Sequence, residues 1–167
     1  FAFLSKYYQF YLNGAKNTVM LALFTVLLGV VVGTVLALMK LSKNPLPKYV
    51  SAAYIEFIRG TPLMVQLLII HYGLAGMGIS FPDIPALTPI IGMDFSLFMA
   101  GIVTMSINSG AYVAEIFRAG IQAIDRGQME AARSLGMPHW TAMRYIILPQ
   151  AFRNILPALG NEFVVVI

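Results

Sequence analysis

The sequence predicts an all-α integral membrane protein. Of its 167 residues, 59% are hydrophobic and only 11% are charged, whereas a soluble domain carries about a quarter charged residues. The mean hydropathy is +0.78, so the apolar excess must face lipid or other apolar helices. The net charge of +4 is small and dispersed. It excludes a basic patch for binding nucleic acid. Basic residues beside apolar runs are better interpreted as signals of which loops are cytoplasmic.

Catalytic and metal-binding residues are not expected in this chain. It has no cysteine, and its two histidines, His71 and His139, cannot form a metal-ligand cluster alone. The carboxylates at Glu56, Glu115 and Glu162 have no nucleophile or base at a spacing that would group them for catalysis.

The first element predicted is an interfacial helix over residues 1–12, with a disordered tail as the alternative. This stretch is too short to span a bilayer, which needs about 20 apolar residues as a helix. Its aromatic residues favour the headgroup level, and Asn13-Gly14 would turn the chain into the membrane.

The first span is predicted over residues 15–39, where Leu, Val and Ala occur throughout. Gly29 and Gly33 lie four apart, which permits close approach of another helix; ordinary use of glycine in a membrane helix explains them equally well. The loop that follows should be cytoplasmic by the positive-inside rule, with the N-terminus outside. Its basic residues are Lys40, Lys43 and Lys48.

The second apolar region, residues 49–74, allows two arrangements because Gly60-Thr61-Pro62 interrupts it. It is either one kinked span, or residues 49–60 lie at the cytoplasmic interface and the span begins near Pro62. Glu56 and Arg59 are three apart and can pair on one helix face. Residues 73–95 contain prolines and aspartates but no lysine or arginine, as expected for an outside loop.

The third span is predicted over residues 96–117. Its polar residues recur at intervals of four, four and three, so they share one stripe of a helix. Lipid would exclude this stripe, which must therefore face protein or a water-filled path, although hydrogen bonding between helices would also explain it. The stripe consists of Thr104, Asn108, Tyr112 and Glu115.

A polar segment at residues 127–149 separates the third span from the last one and is predicted to be a docking element. Gly127 can end the preceding helix, residues 128–135 favour a short helix, Gly136 supplies its end, and Pro138 starts the next helix. A helix this short needs a partner to hold it. Its apolar face is formed by Ala131, Ala132 and Leu135.

The last span should enter the hydrocarbon near Arg153 or Asn154. Glu162 would then lie ~12 Å deep, and Asn108 ~18 Å from the opposite boundary, at 1.5 Å per residue, so the two side chains can share a level. A carboxylate at that depth needs a cation, a proton or water. The neutralising group is either Arg59, a proton on Glu162, or a cationic solute.

Two sets of residues give the sequence a family resemblance. Glu130-Ala131-Ala132, followed by Gly136 and then by Ile147-Leu148-Pro149, resembles the EAA loop of ABC importer membrane subunits. EFIRGTPLMVQ at residues 56–66 and SGAYVAEIFRAGIQAIDRGQMEAARSLGM at residues 109–137 are similar to the polar amino acid permeases.

The resemblance implies a type I ABC importer transmembrane fold for residues 1–167, with a cytoplasmic coupling loop at residues 119–149. The full family has about five spans, of which about three and a half are expected here, the last one being absent. The coupling helix would sit in a groove of the ATPase. Its coupling residues would be Glu130, Ala131, Ala132, Leu135 and Gly136.

The implied function is that of a permease subunit that carries polar amino acids by alternating access in the bacterial cytoplasmic membrane, and the buried carboxylate predicted at Glu162 favours basic amino acids among them. The partners implied are an ATPase that binds Mg-ATP, a second permease copy or paralogue, and an extracytoplasmic solute-binding protein; no cofactor is expected on this chain. The predicted solute-binding residues are Asn108, Ser109, Tyr112 and Glu162, and a possible path adds Glu56, Thr104 and Glu115.

Two other classes of function compete with this interpretation. An intramembrane enzyme has enough titratable groups but no catalytic spacing. A secondary amino-acid transporter could use the same carboxylates as proton sites, but no inverted repeat is visible. The sequence leaves open which amino acid is carried and whether the partner permease is an identical copy.

Overall fold

The computed structural model describes the backbone of residues 2–167 and the side chains of residues 7–167. The chain is helical and has no strand over the described range, which confirms the predicted all-α class. Two π turns, Ile69–Gly73 and Met143–Ile147, interrupt the α-helices. The α-helices are α1 (Ala2–Lys40), α2 (Pro45–Arg59), α3 (Leu63–Leu68), α4 (Leu74–Gly76), α5 (Thr88–Ile91), α6 (Phe95–Gln122), α7 (Arg126–Ser134), α8 (His139–Ala142) and α9 (Leu148–Val166).

The first helix is longer than predicted. The turn expected at Asn13-Gly14 is wrong, because α1 runs unbroken from Ala2 to Lys40. A single glycine inside a helix costs only about 1 kcal/mol of stability. The apolar residues that follow Gly14 continue the helix and offset this cost. Phe10 and Tyr11 are exposed, and their position at the headgroup level stays a prediction.

Helices α1 and α6 pack closely in parallel. A Cβ added to Gly29 would lie 2.9 Å from Ser109 Oγ, and one added to Gly33 would lie 2.6 Å from Val113 Cγ1. The contacts advance in the same direction along both helices, so the two helices run the same way. The interpretation of Gly29 and Gly33 as a close-approach pair is therefore confirmed.

The parallel arrangement puts the C-terminal ends of α1 and α6 on the same side. Lys40 at the end of α1 pairs with Glu115 of α6, and Arg118 Nη2 lies 2.7 Å from the other oxygen of that carboxylate. The lysine-containing loop and the docking element thus share one face of the bundle, as the distribution of basic residues predicted.

The second apolar region is sharply broken. Pro45–Gly60 and Leu63–Gly76 differ in direction by 102°, which is far beyond the bend of a kinked helix and favours the arrangement with a break near Pro62. Helix α2 is held against α1 by the Ser51 hydroxyl, which donates to Leu36 O at 2.7 Å. Residues 77–87, beyond this region, form the expected irregular loop.

The pairing predicted between Glu56 and Arg59 is wrong. No ion pair joins them in the part of the chain whose side chains are described, and both side chains are exposed. The Arg59 guanidinium instead lies 4.9 Å from the ring centroid of Tyr112, where a cation gains from the face of the ring.

The last helix runs antiparallel to α6. A Cβ on Gly120 would lie 2.4 Å from Ile155 Cγ1, while Glu162, further along α9, contacts Ser109, which lies earlier on α6. A π turn at Met143–Ile147 joins α8 to α9. Pro149 lacks the N–H that an α-helix would direct to Tyr145 O, and its ring would clash there, which accounts for the wider turn.

Two described helices are long and apolar enough to cross a membrane, Tyr7–Lys40 and Phe95–Gln122. A third crossing results if the bent pair Pro45–Gly60 and Leu63–Gly76 counts as one span. Leu148–Val166, the last helix, is not among these candidates. The first and third predicted spans are therefore confirmed as helices of sufficient length.

Candidate solute site

A cavity of about 280 Å³ opens between α3, α6 and α9. It brings together the four side chains that the sequence proposed as solute-binding residues. Apolar side chains complete its wall, as is usual for small-molecule sites in which a few polar groups fix orientation. Its lining residues are Leu63, Met105, Asn108, Ser109, Tyr112, Glu162, Val165 and Val166.

Glu162 lies in this wall with only 9% of its surface exposed. The Ser109 hydroxyl donates to Glu162 Oε1 at 3.0 Å, so the prediction that α6 and the last helix bring their polar residues to one level is confirmed. No basic side chain lies within 4.0 Å of Glu162 in the described part of the chain. Arg59, the protein partner considered above, lies over Tyr112 and acts on Glu162 only at longer range than an ion pair.

Asn108 is held by a residue that the sequence analysis did not single out. Its Nδ2 donates to Gln66 Oε1 at 3.1 Å. Gln66 is itself buried, with 8% exposure. A lone amide in the apolar run Leu63–Leu68 is the signal that could have identified it, because buried polar residues in membrane helices must find partners.

The remaining members of the predicted path lie outside this wall. Thr104 is fully buried and donates its hydroxyl to Ala100 O at 2.7 Å. Glu115 is occupied by Lys40 and Arg118, and Glu56 is exposed on α2. The residues of the polar stripe on α6 therefore lie in three different environments. Only Asn108 and Tyr112, in the middle of the stripe, line the cavity.

The docking element begins earlier than predicted. Helix α7 starts at Arg126, and Asp125 Oδ1 caps it by accepting from Gly127 N at 2.6 Å. Gly127 is thus inside the helix, and the prediction that it ends the preceding helix is wrong, because α6 already ends at Gln122. The aspartate before Arg126 is a strong N-cap signal that accounts for this start.

The end of α7 is as predicted. Gly136 has a φ of +78°, in the left-handed region that favours glycine. Its N–H donates to Arg133 O at 3.0 Å, and Met137 N donates to Ala132 O at 3.1 Å. These two bonds form a Schellman motif, after which α8 starts directly behind Pro138.

The predicted apolar face of α7 divides between two environments. Ala132 is 1% exposed and packs inside the protein, whereas Leu135 is 83% exposed. Ala131 is exposed as well. Trp140 on α8 is 68% exposed, so an apolar surface suited to a protein partner lies at the tip of the docking element.

The sequence profile described as "Binding-protein-dependent transport system inner membrane component" matches residues 18–167. The chain belongs to this family of permeases. Members are membrane-embedded transport components, which confirms that the permease is not an enzyme and that ATP hydrolysis belongs to a separate subunit. A permease of this kind works with an ATPase and a substrate-binding protein.

The permease is similar to curated amino acid transport proteins. It is 42% identical over 167 residues to the putative glutamine transport system permease protein GlnP of Rickettsia felis, covering 98% of this chain and 71% of that protein. It is 39% identical over 155 residues to the arginine transport system permease protein ArtQ of Bacillus subtilis, covering 93% of this chain and 65% of that protein.

A solved structure shares the permease fold. The crystal structure of an amino acid ABC transporter with histidines superimposes with a TM-score of 0.85 at 52% sequence identity. The match covers 99% of this chain and 71% of that chain. The chain therefore has the fold of an ABC transporter permease subunit, the type I importer fold that the resemblance implied.

Proposed function

We propose that this permease carries basic amino acids such as arginine, lysine or histidine in a multi-pass bacterial inner-membrane importer driven by ATP. Two permease copies, or this chain and a paralogue, enclose the path, and a partner ATPase that binds Mg-ATP drives alternating access. Relatives named for arginine and glutamine transport are consistent with a polar amino acid. The choice of a basic one rests on the cavity.

The observation that carries the proposal is the buried carboxyl of Glu162 in the cavity wall, which has no ion-pair partner within 4.0 Å among the residues whose side chains are described. A buried carboxylate is costly unless it is paired and hydrogen-bonded. Ser109 supplies one hydrogen bond, and the described protein supplies no ion pair. A cationic group of the solute would provide the missing charge, while Asn108, Ser109 and Tyr112 contact its other polar groups.

Coupling to the ATPase is assigned to α7 and its end. Leu135 and Ala131 are exposed for contact with the partner, and buried Ala132 ties the helix to the permease. Glu130 is exposed beside them and is available to basic groups of the ATPase. Gly136 then turns the chain back toward the membrane through its positive φ.

Substitution of Glu162 by glutamine tests the solute class. The change keeps the shape of the side chain and removes its charge. In proteoliposomes that hold the complete transporter, Glu162→Gln should lower ATP-driven arginine uptake by about tenfold or more, the effect of losing a hydrogen bond between charged groups. Glutamine uptake should fall far less, because glutamine brings no side-chain cation to the site.

A matched control is Asp83→Asn, which removes one negative charge from an exposed position in the loop. It should leave the ratio of arginine to glutamine uptake unchanged. An equal loss of both solutes in Glu162→Gln would show that Glu162 only holds α9 against α6. Uptake that needs an ion gradient and no ATP would overturn the transport mechanism itself.

A further inference from the structure

The side chain of Gln66 forms hydrogen bonds across the break between α2 and α3. Gln66 Nε2 donates to Ile58 O at 2.8 Å, to Thr61 O at 3.2 Å and to Thr61 Oγ1 at 2.6 Å. Ile58 O belongs to the last turn of α2, where carbonyls lack helical partners. Ile58 O also accepts from the Thr61 hydroxyl at 3.2 Å, so Gln66 and Thr61 together bond the carbonyl groups at the 102° change of direction.

These contacts fix which way the amide of Gln66 points. The carbonyl oxygens of Ile58 and Thr61 can only accept hydrogen bonds, so the edge of Gln66 that faces them must be its NH₂ group. The Thr61 hydroxyl agrees with this orientation, because it donates to Phe57 O at 3.1 Å and its oxygen can accept. Gln66 Oε1 is consequently turned toward α6.

The orientation of Gln66 fixes that of Asn108 in turn. Because Gln66 Oε1 is an acceptor, the atom of Asn108 that lies 3.1 Å from it must be Nδ2. Asn108 Oδ1 is left without a hydrogen-bond partner among the described residues. The Ser109 hydrogen is likewise committed to Glu162, so Ser109 offers the cavity only its oxygen.

We infer that Gln66 is a positioning residue for solute specificity: the backbone carbonyls at the α2–α3 break orient Gln66, which orients Asn108 so that the cavity wall presents hydrogen-bond acceptors. The inference rests on the proposed transport of basic amino acids and adds the residue that sets the polarity of the site. An acceptor wall made of Asn108, Ser109 and Glu162 selects a solute end group that carries only donors. The guanidinium of arginine is such a group.

Citrulline is the matched probe, because it has the shape of arginine but replaces one donor of the end group by a carbonyl oxygen. In the complete transporter, Gln66→Met should release the amide of Asn108 and lower the ratio of arginine to citrulline uptake by about tenfold, the effect of one hydrogen bond to a charged group. A residue that only closed the helix break would change both uptakes equally.

Thr61→Val is the structural control. It removes one hydroxyl from the break but leaves Gln66 bonded to Ile58 O and Thr61 O, so the ratio should stay within about twofold of wild type. If Gln66→Met does not assemble, Asn108→Leu tests the same inference. It removes the acceptor from the cavity wall and should lose the preference for arginine.

The outcomes separate this inference from the proposed function. A wild-type transporter without ATP-driven arginine uptake would overturn the proposed function and the inference with it. A wild-type preference for arginine that persists unchanged in Gln66→Met, or in Asn108→Leu, would overturn only the role of the Gln66–Asn108 pair.

Discussion

Replacing Gly33 by leucine is expected to abolish the close packing of α1 on α6 and to destabilise the permease by about 3 kcal/mol, at the upper end of the usual cost of overpacking. A Cβ at this position would lie 2.6 Å from Val113 Cγ1 and 3.0 Å from the backbone nitrogen of Ala114. The backbone atom cannot turn away as a flexible side chain would, so the helices must separate. The midpoint of thermal unfolding of the purified transporter in detergent would measure this loss.

Gly14→Leu is the control on the same helix, since a Cβ at Gly14 meets nothing within 4 Å and the substitution should not lower the midpoint. A second comparison uses Gly33→Ala with and without Val113→Ala. Removal of the two Val113 methyl groups should recover part of the stability that the smaller substitution loses. Equal midpoints for Gly33→Leu and Gly14→Leu would show that the two helices do not meet as described.

Replacing Gly136 by leucine is expected to uncouple ATP hydrolysis from uptake while the membrane helices stay folded. No atom lies within 4 Å of a Cβ at this position, so the effect comes only from the φ of +78°. A residue with a side chain pays about 1–2 kcal/mol there, enough to shift the end of α7 to another conformation. Uptake per ATP hydrolysed should fall by about tenfold.

Asparagine separates backbone conformation from side-chain bulk, because it adopts positive φ more readily than other residues with a Cβ. Gly136→Asn should keep most of the uptake per ATP. The assignment of Gly136 to coupling would be wrong if Gly136→Leu transported at the wild-type ratio, and the conformational explanation would be wrong if both variants were equally impaired.

Short-range sequence signals predicted much of the docking element. Gly136 followed by Pro138 marks the end of one helix and the start of the next, and both features depend on the φ preferences of single residues. The wrong assignment of Gly127 shows the limit of such signals. Glycine is common at helix ends and is also tolerated near a helix start, and here the N-cap Asp125 decided between the two.

The solute cavity could be predicted only in part. Helical periodicity and rise per residue placed Asn108, Ser109 and Glu162 at one level, and the hydrogen bond from Ser109 to Glu162 confirms this. The contribution of Gln66 depends on the 102° break, which turns α3 toward α6. A contact between residues 42 positions apart leaves no periodic signal in either segment.

By itself, the sequence determined that this protein is helical and membrane-embedded, that Gly29 and Gly33 can admit a neighbouring helix, and that Gly136 ends a helix. These properties follow from hydropathy and from the conformational freedom of individual residues. Only the tertiary structure decided that Arg59 lies over Tyr112 rather than beside Glu56, and that Glu115 pairs with Lys40. A charged side chain on a helix has several partners within reach, and the packing angles of the helices select among them.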